Sequence, residues 1–251
     1  MSFLDRKRLE EAFRGKRIGR PLVLLERTSS TMDVARERTS EPGTLVVADR
    51  QDAGRGSRGR TWSSPPGTDL YLSFVWGPLE PIANPGVMTL AVGLGVAEAV
   101  ESLTGKHTLV KWPNDVLLDH AKVSGILVES SGDFSQGVVV GLGLNVNRAS
   151  FPDDLAEGAT SLHLATGRTF EREEVLVETL ASVEQWLARY EQLGPAPIVE
   201  GLDRRLAYRN ERVRAGEIKG VVEGIAKDGA LILRDGTELH RILAGRVEPI
   251  E

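Results

Sequence analysis

The feature that most constrains the fold is the run from Val138 to Val146, which is apolar at both alternating sets of positions. Such a strand is typical of the centre of a sheet that is covered on both faces. Residues 86–103 are apolar on all sides like a buried helix, and residues 171–193 have the pattern of a long amphipathic helix. The chain is therefore predicted to build strands and helices around a buried sheet. Other short β-type runs lie at 22–25, 45–48, 70–76, 109–112 and 123–129.

The C-terminal residues are predicted to form a separate small module. After Tyr208 the sequence changes to short β-type runs, with Asp228-Gly229 and Asp235-Gly236 placed as tight hairpin turns. We therefore expect a main domain at 1–209 and a β-barrel-like module at 210–251. Shorter helices are predicted at 4–14, which should be peripheral, from Ser30 or Thr31 to about Thr39, and after Pro197.

Composition narrows the function classes. The 31 Lys and Arg against 36 Asp and Glu give a net charge of -5, so the overall field offers no support for a nucleic-acid partner. The absence of cysteine excludes disulfides, thiol nucleophiles and thiolate metal sites, and it fits a reducing compartment. No apolar run approaches the roughly 18 residues of a membrane span or the core of a signal peptide. We expect a cytoplasmic protein without a membrane partner.

A long segment at 49–68 has no apolar periodicity but is rich in Gly, Arg and Ser. Loops of this length are uncommon in compact domains unless they are functional or disordered. Its centre, Gly54-Arg55-Gly56-Ser57-Arg58-Gly59-Arg60, combines close backbone approach with guanidinium groups that bind phosphate or carboxylate. A flexible basic loop or an RGG-like nucleic-acid contact fits this composition equally well. A dinucleotide fingerprint does not fit, because no tight glycine turn enters an apolar helix.

Two further segments could carry polar chemistry. Pro113 should end a strand and leave Asn114 and Asp115 at its mouth, where Lys111 and Lys122 could converge with the Asp115 carboxylate across a hairpin. Taken alone, a turn with ordinary surface charges is the better interpretation. In the run from Gly141 to Asn147 the glycines could leave room for a flat ligand beside Asn145, although a bulge with structural glycines fits as well. The four histidines show no metal-ligand spacing.

Together and in this order, Ser30-Thr31, the segment from Gln51 to Gly56, Lys111-Trp-Pro-Asn-Asp115, Lys122-Val-Ser-Gly-Ile-Leu-Val-Glu129 and Gly141-Leu-Gly-Leu-Asn-Val-Asn147 resemble the biotin–protein ligase family. The resemblance covers about residues 20–150. It implies an α/β (α+β) fold with a mixed sheet and helices on one face, similar to class II aminoacyl-tRNA synthetases, plus a small C-terminal SH3-like barrel. It also implies the form without the N-terminal helix-turn-helix repressor domain, so no DNA binding is expected.

The resemblance implies an activity and a set of roles. Biotin and ATP would form biotinyl-5′-AMP with Mg²⁺, and the biotinyl group would pass to a lysine of a biotin carboxyl carrier domain; a homodimer is also suggested. Lys122, Asp115 and Arg55 would be catalytic, with Asp115 as the metal ligand and possible proton acceptor. Biotin would contact Ser30, Thr31, Gln51, Gly54, Arg55, Lys122 and Gly125. The nucleotide would contact Arg55, Gly56, Ser57, Arg58, Gly59, Arg60, Trp62, Lys111, Asn114 and Asn145.

Two positions depart from the family pattern. Met32 stands where members carry Asn, which removes one polar contact to biotin, and Ser57 stands where the loop carries a second arginine. The loss of a cationic contact to the adenylate predicts leakage of the intermediate and weaker target discrimination. The rival interpretations are a lipoate or octanoyl ligase of related fold and a non-catalytic sensor of biotinyl-adenylate. The motif from Lys111 to Asp115 argues against the first, and the presence of both Asp115 and Lys122 argues against the second.

Overall fold

The computed structural model describes residues 3–79, 84–130 and 137–250. Within them the helices are α1 (Arg6–Ala12), α2 (Thr31–Arg36), α3 (Pro85–Thr104), α4 (Asp153–Ala156), α5 (Leu162–Thr166), α6 (Arg172–Leu193) and α7 (Ala196–Asp203). The strands of the main sheet are β1 (Leu22–Thr28), β2 (Leu45–Gln51), β3 (Leu70–Trp76), β4 (Thr108–Lys111), β5 (Asp115–Leu118), β6 (Ala121–Ser130) and β7 (Val138–Leu144). The C-terminal strands are β8 (Arg212–Ala215), β9 (Ile218–Ile225), β10 (Leu231–Asp235), β11 (Glu238–Ile242) and β12 (Val247–Pro249).

The main sheet has seven strands in the order β1-β2-β3-β7-β6-β5-β4. Only the β1–β2 pair among these ladders is parallel, so the sheet is mixed, as the sequence resemblance implied. Strand β7 is the fourth of the seven and is buried along nearly its whole length. The prediction of a central strand from its two apolar faces is therefore confirmed.

Helices lie on both faces of the sheet, so the expectation of helices on one face is wrong for α2. The long helices α3 and α6 pack on each other, and α3 covers β4, β5 and β6. Gly95 permits their close approach, because a Cβ there would lie 2.6 Å from the Val183 Cα. The short helix α2 instead contacts β2, β3 and β7 with Met32 and Ala35, in a second apolar cluster with Val46 and Val75.

Helix α3 is long and apolar enough to cross a membrane by length and composition, in contrast to the expectation from the sequence. Its most apolar stretch is 67% buried inside the fold, which is the pattern of a core helix. The helix begins at Pro85 and ends before Gly105, whose φ of 72° suits glycine in a left-handed C-cap.

Several short elements differ from the prediction. Helix α2 ends at Arg36 rather than Thr39, and α7 begins at Ala196, so Pro197 lies inside its first turn. Strand β5 and helices α4 and α5 have four or five residues each, too few for a periodic pattern. The N-terminal helix is short as predicted, but it is not merely peripheral, because Leu9 and Phe13 are buried in the main core.

The C-terminal strands form a five-stranded antiparallel sheet in the order β11-β10-β9-β8-β12. The predicted turns are present, with Gly229 and Gly236 at φ of 86° and 59°. Val213 and Leu231 belong to the same apolar cluster as the main core. The two sheets are also joined by a hydrogen bond, since Trp112 Nε1 donates to the Gly229 carbonyl at 2.9 Å.

Candidate active site

A cavity of about 380 Å³ lies on the face of the main sheet that carries α2. Its walls come from both sheets, because Tyr208 and the segment 245–247 close one side of it. The predicted site residues that line it are Ser30, Thr31, Gln51, Arg55, Gly56, Ser57, Arg58, Arg60, Trp62, Lys111, Asn114, Asp115, Lys122, Gly125 and Asn145. Gly54 and Gly59 are not in its lining, although they belong to the same loop.

The floor of the cavity contains a pair of glycines covered by an indole ring. Gly125 and Gly143 are direct partners across β6 and β7. A Cβ at Gly143 would lie 2.3 Å from Trp62 Cε2, and one at Gly125 would lie 2.8 Å from Trp62 Cζ3. The glycines therefore leave room for a flat group, and in this structure the flat group is Trp62.

A carboxylate and two lysines meet beside this ring. Lys122 Nζ lies 2.6 Å from Asp115 Oδ1 and 5.2 Å from the centroid of the Trp62 ring. Lys111 is the cross-strand partner of Asp115 at the end of the β4–β5 ladder. Burial lowers the pKa of Lys111, and the attraction of the nearby Asp115 carboxylate only partly opposes this effect. The structure thus brings together the three charged groups, although a turn with ordinary surface charges was the better interpretation of this segment taken alone.

The Asp115–Lys122 contact is an ion pair without the alignment of a hydrogen bond. The two atoms are close enough for strong attraction, yet Asp115 Oδ1 is buried with no hydrogen-bond partner. The Asp115 carboxylate also lines the cavity, so a ligand or a cation can approach it there.

The predicted biotin contacts Ser30, Thr31 and Gln51 all line the cavity, and Gln51 is hydrogen-bonded to Thr31 at the start of α2. Ser30 Oγ caps the helix by accepting from the Met32 N–H. Gln51 Oε1 accepts from the Thr31 N–H at 2.9 Å and faces its hydroxyl at 3.2 Å, while Gln51 Nε2 donates to Ser64 Oγ. Met32 packs over β7, where a Cβ at Gly141 would lie 2.5 Å from its sulfur.

The arginine-glycine loop, residues 54–60, is closed into a hairpin. Its backbone is joined by hydrogen bonds from the Gly56 N–H to the Arg60 carbonyl and from the Trp62 N–H to the Gly54 carbonyl, both at 2.8 Å. Gly54 has no space for a side chain, since a Cβ would lie 2.5 Å from the Trp62 carbonyl oxygen. At the tip, Arg60 Nη2 donates to Ser57 Oγ at 3.0 Å.

Two asparagines at the cavity hold strands together. Asn114 Nδ2 donates to the Ile126 carbonyl at 2.9 Å, and Asn145 Nδ2 donates to the Thr160 carbonyl at 2.9 Å. Both amide nitrogens therefore have partners within the chain. Among the described residues neither amide oxygen has a hydrogen-bond partner, so both oxygens remain as acceptors for a ligand.

Sequence motifs did not reveal several residues around the cavity. Arg148, Phe151, Tyr208 and Arg246 line it, and Asp33 touches Arg55 from α2. His120, one of the four histidines without metal-ligand spacing, also lines the cavity. No local signal marks these residues, because their neighbours in space are remote in sequence.

Unsatisfied polar atoms are concentrated at the cavity. Among the described residues six buried side-chain atoms have no hydrogen-bond partner, and three of these are Arg55 Nε, Trp62 Nε1 and Asp115 Oδ1. Buried polar groups in proteins nearly always have partners, so such a cluster requires an explanation. The side chains that carry three of these atoms line the cavity, so its wall offers a guanidinium, an indole and a carboxylate to a ligand that is both charged and polar.

Comparison with known proteins gives the class and then the family. The Biotin/lipoate A/B protein ligase family matches residues 24–145, and the Biotin protein ligase C terminal domain matches residues 210–248. The fold and site are thus those of a biotin/lipoate-type protein ligase.

Individual relatives narrow this class further. The bifunctional ligase/repressor BirA of Bacillus spizizenii is 33% identical over 242 residues, which cover 92% of this chain and 74% of that protein. The biotin–[acetyl-CoA-carboxylase] ligase of Paracoccus denitrificans is 36% identical over 200 residues, covering 75% and 83%. The biotin protein ligase from Aquifex aeolicus in complex with biotin and ATP superposes with a TM-score of 0.80 at 34% identity, covering 91% and 98%. The chain belongs to the biotin protein ligase family.

Proposed function

We propose that this enzyme is an ATP-dependent biotin–protein ligase, which forms biotinyl-5′-AMP from biotin and ATP and transfers biotin to a lysine of a biotin carboxyl carrier domain. Family membership supports this reaction, as does the structure of the Aquifex aeolicus relative in complex with biotin and ATP. The observation that carries the proposal is the meeting of Asp115, Lys122 and Arg55 at one cavity beside the Trp62 ring.

In the first step the biotin carboxylate attacks the α-phosphorus of ATP and displaces pyrophosphate, and both reacting groups are anionic. The site must therefore reduce their repulsion and hold them in line. Lys122 and Arg55 supply positive charge at the cavity, and Lys111 adds a third cation beside Asp115. Ser30, Thr31, Gln51, Gly54 and Gly125 would bind the biotin end, while Trp62, Asn114, Asn145 and the loop from Gly56 to Arg60 would bind the nucleotide.

Magnesium fits as an ion that arrives with ATP. The described residues contain no group of three or more His, Cys, Asp or Glu side chains that could hold a metal alone. Mg²⁺ usually binds one or two carboxylates together with substrate phosphates, and the Asp115 carboxylate lines the cavity. When bound, the ion would neutralise phosphate charge, with Asp115 as its protein ligand.

In the second step the acceptor lysine must lose its proton to attack the mixed anhydride. A nearby carboxylate can orient the amine or accept the proton. We assign both tasks to Asp115. Asp115→Asn should then lower the rates of both half-reactions far more than it weakens biotin binding, whereas a wild-type rate would contradict the assignment.

Ser57 is proposed to make the enzyme release its intermediate. A charge-assisted hydrogen bond contributes roughly 1.5–3 kcal/mol, so losing one could speed escape of biotinyl-5′-AMP by about ten- to a hundredfold. Arg60 approaches the Ser57 hydroxyl and is the residue that could compensate. Ser57→Arg should reduce labelling of unrelated proteins without lowering labelling of the carrier.

The decisive experiment combines the purified protein with ATP, Mg²⁺ and biotin, then adds equal amounts of a biotin carrier domain and an unrelated lysine-rich protein. Mass spectrometry follows both acceptors. Biotin on the carrier alone supports the ligase and contradicts leakage, and biotin on both supports leakage. No gain on either, with adduct formation when lipoate replaces biotin, would favour a lipoate-type ligase. Binding of biotinyl-5′-AMP without any transfer would favour the sensor.

The narrower expectations stay predictions. They are a homodimer, a cytoplasmic location, no nucleic-acid partner, a division between residues 209 and 210, and an SH3-like description of the C-terminal sheet. Light scattering in the presence and absence of biotin and ATP would test the first of them.

A further inference from the structure

Asp33 lies in the first turn of α2, outside the segments that carry the family resemblance. Its Oδ1 accepts a hydrogen bond from Arg55 Nη2 at 2.6 Å and a second from Arg36 Nη1 at 3.1 Å. Arg55 is the first arginine of the arginine-glycine loop. The Asp33 carboxylate therefore joins this loop to the helix that carries Thr31 and Met32.

The Asp33 carboxylate is also held in place by a second arginine, Arg36. Arg36 pairs with Glu129 on β6 as well as with Asp33. The charges alternate from Glu129 through Arg36 and Asp33 to Arg55, so each inner group has an opposite charge on both sides. This row anchors Asp33 to the sheet and leaves its oxygen directed at Arg55.

The guanidinium of Arg55 faces two different surroundings. Its Nη2 atom is bound by Asp33, whereas its Nε is buried without a hydrogen-bond partner among the described residues, on a side chain that lines the cavity. A guanidinium is planar with its N–H groups in a fixed fork, so fixing one edge fixes the direction of the others. A permanently charged donor at a cavity is suited to an anionic oxygen.

We propose that Asp33 is a positioning residue that aims Arg55 at the carboxylate of biotin during adenylate formation. The inference rests on the proposed function, since it takes biotin as the ligand. Without the negative charge of Asp33, the Arg55 side chain, which is 34% exposed, can turn toward water and leave the carboxylate with one cation fewer. The pair itself is half-exposed and adds little to the stability of the fold.

The test measures biotin-dependent adenylate formation and, by calorimetry, equilibrium binding of biotin to the full chain. Asp33→Asn should raise the KM and Kd for biotin by about tenfold, with kcat and the KM for ATP changed by less than about threefold, as expected when one charge-assisted contact is misdirected. Glu41→Gln is the matched control, because this α2-flanking carboxylate is 45% exposed, pairs with Arg38 and carries the same charge. It should behave as wild type.

A double-mutant cycle separates positioning from a general structural effect. In an Arg55→Met background, Asp33→Asn should change the Kd for biotin by less than about twofold, because residues that act through one another are not additive. An equal effect in both backgrounds, or a wild-type Kd in Asp33→Asn, would overturn the inference while leaving the ligase intact. A wild-type protein that binds no biotin and forms no adenylate would overturn both.

Discussion

The indole of Trp62 lies against Gly143 so closely that the position cannot accept a side chain. A Cβ there would lie 2.3 Å from Trp62 Cε2, and the paired Gly125 is nearly as tight. The two glycines therefore decide where the ring lies over the sheet, and through the ring they decide the shape of the cavity floor.

Gly143→Ala should displace Trp62 and raise the KM for ATP by about tenfold, since contact of an aromatic ring with a base contributes roughly 1–3 kcal/mol. Steady-state kinetics at saturating biotin would measure it. Gly158→Ala is the matched control, because Gly158 also lines the cavity but a Cβ there meets nothing within 4 Å. Equal effects of the two substitutions would contradict the steric explanation.

A second group of residues fixes the strand that follows the loop. Arg148 and Asp69 form a buried ion pair, with side chains that are 7% and 0% exposed. Arg148 also donates to the Ser63 carbonyl at 2.9 Å, and Tyr71 lies next to both charges. Burial and the neighbouring Asp69 raise the pKa of Tyr71, which therefore stays a neutral hydroxyl.

Arg148→Met should destabilise the protein by about 3–5 kcal/mol, because it leaves the Asp69 carboxylate buried without its partner. Urea unfolding followed by circular dichroism would give the change in the free energy of unfolding. Arg6→Met, at an exposed i,i+4 pair with Glu10, should cost less than about 1 kcal/mol. If the pairing argument holds, Asp69→Asn combined with Arg148→Met recovers part of the loss.

Glu101 joins three segments of the fold. From α3 it accepts hydrogen bonds from the Thr108 N–H at the start of β4 and from Arg205 just after α7, at 2.9 and 2.6 Å. Burial alone would raise the pKa of Glu101, but Arg205 and Thr108 outweigh it and lower the pKa from its ordinary value of 4.5. The ionised form is thus favoured in the folded state.

A carboxyl with a lowered folded-state pKa stabilises the protein above its unfolded-state pKa, and this contribution disappears as pH falls through the folded-state value. The stability advantage of wild type over Glu101→Gln should therefore be full at neutral pH and shrink below pH 4.5. Urea titrations of both proteins at several pH values would measure it. A difference that does not change with pH would contradict the assignment.

The elements that sequence could predict are those with enough residues to show a period. The strands β3 and β7 and the helices α3 and α6 were predicted nearly to their ends. Strand β5 was missed because its turn uses Asp119 and His120 at positive φ, in place of the usual Asn-Gly or Asp-Gly signal.

The site residues also divide into those that the sequence could predict and those that it could not. The arginine-glycine loop and the segment from Lys111 to Asp115 were visible because their residues are adjacent in sequence. Asp33 and Arg148 were not, because each acts through a partner 22 or 79 residues away. Such pairs depend on how α2 and β7 pack, and periodicity and turn signals do not specify that packing.

The Asp228-Gly229 turn joins the C-terminal sheet to the site. The Gly229 carbonyl accepts from Trp112, which lies between Lys111 and Pro113. A Cβ at Gly229 would lie 3.1 Å from the Val87 backbone nitrogen, so this turn also packs closely on the start of α3.

Trp112→Phe should lower the free energy of unfolding by about 1–3 kcal/mol, because it leaves a buried carbonyl unsatisfied. Hydrogen exchange measured by mass spectrometry should show the largest increase in β9 and β10. Trp186→Phe provides the control, since that indole donates to Glu98 on α3 within the main domain. Equal exchange profiles for the two variants would argue against a specific link between the sheets.

The cavity is closed by residues from nearly the whole chain, from Ser30 on one side to Val247 on the other. During synthesis on a ribosome, the arginine-glycine loop, the two glycines of the cavity floor and the three charged groups beside them are made first. The wall that contains Tyr208 and residues 245–247 is made last. A substrate bound before that stage would lack the contacts of this wall. A nascent chain stalled before Tyr208 would contain nearly every motif of the family and still lack a closed place for the adenylate.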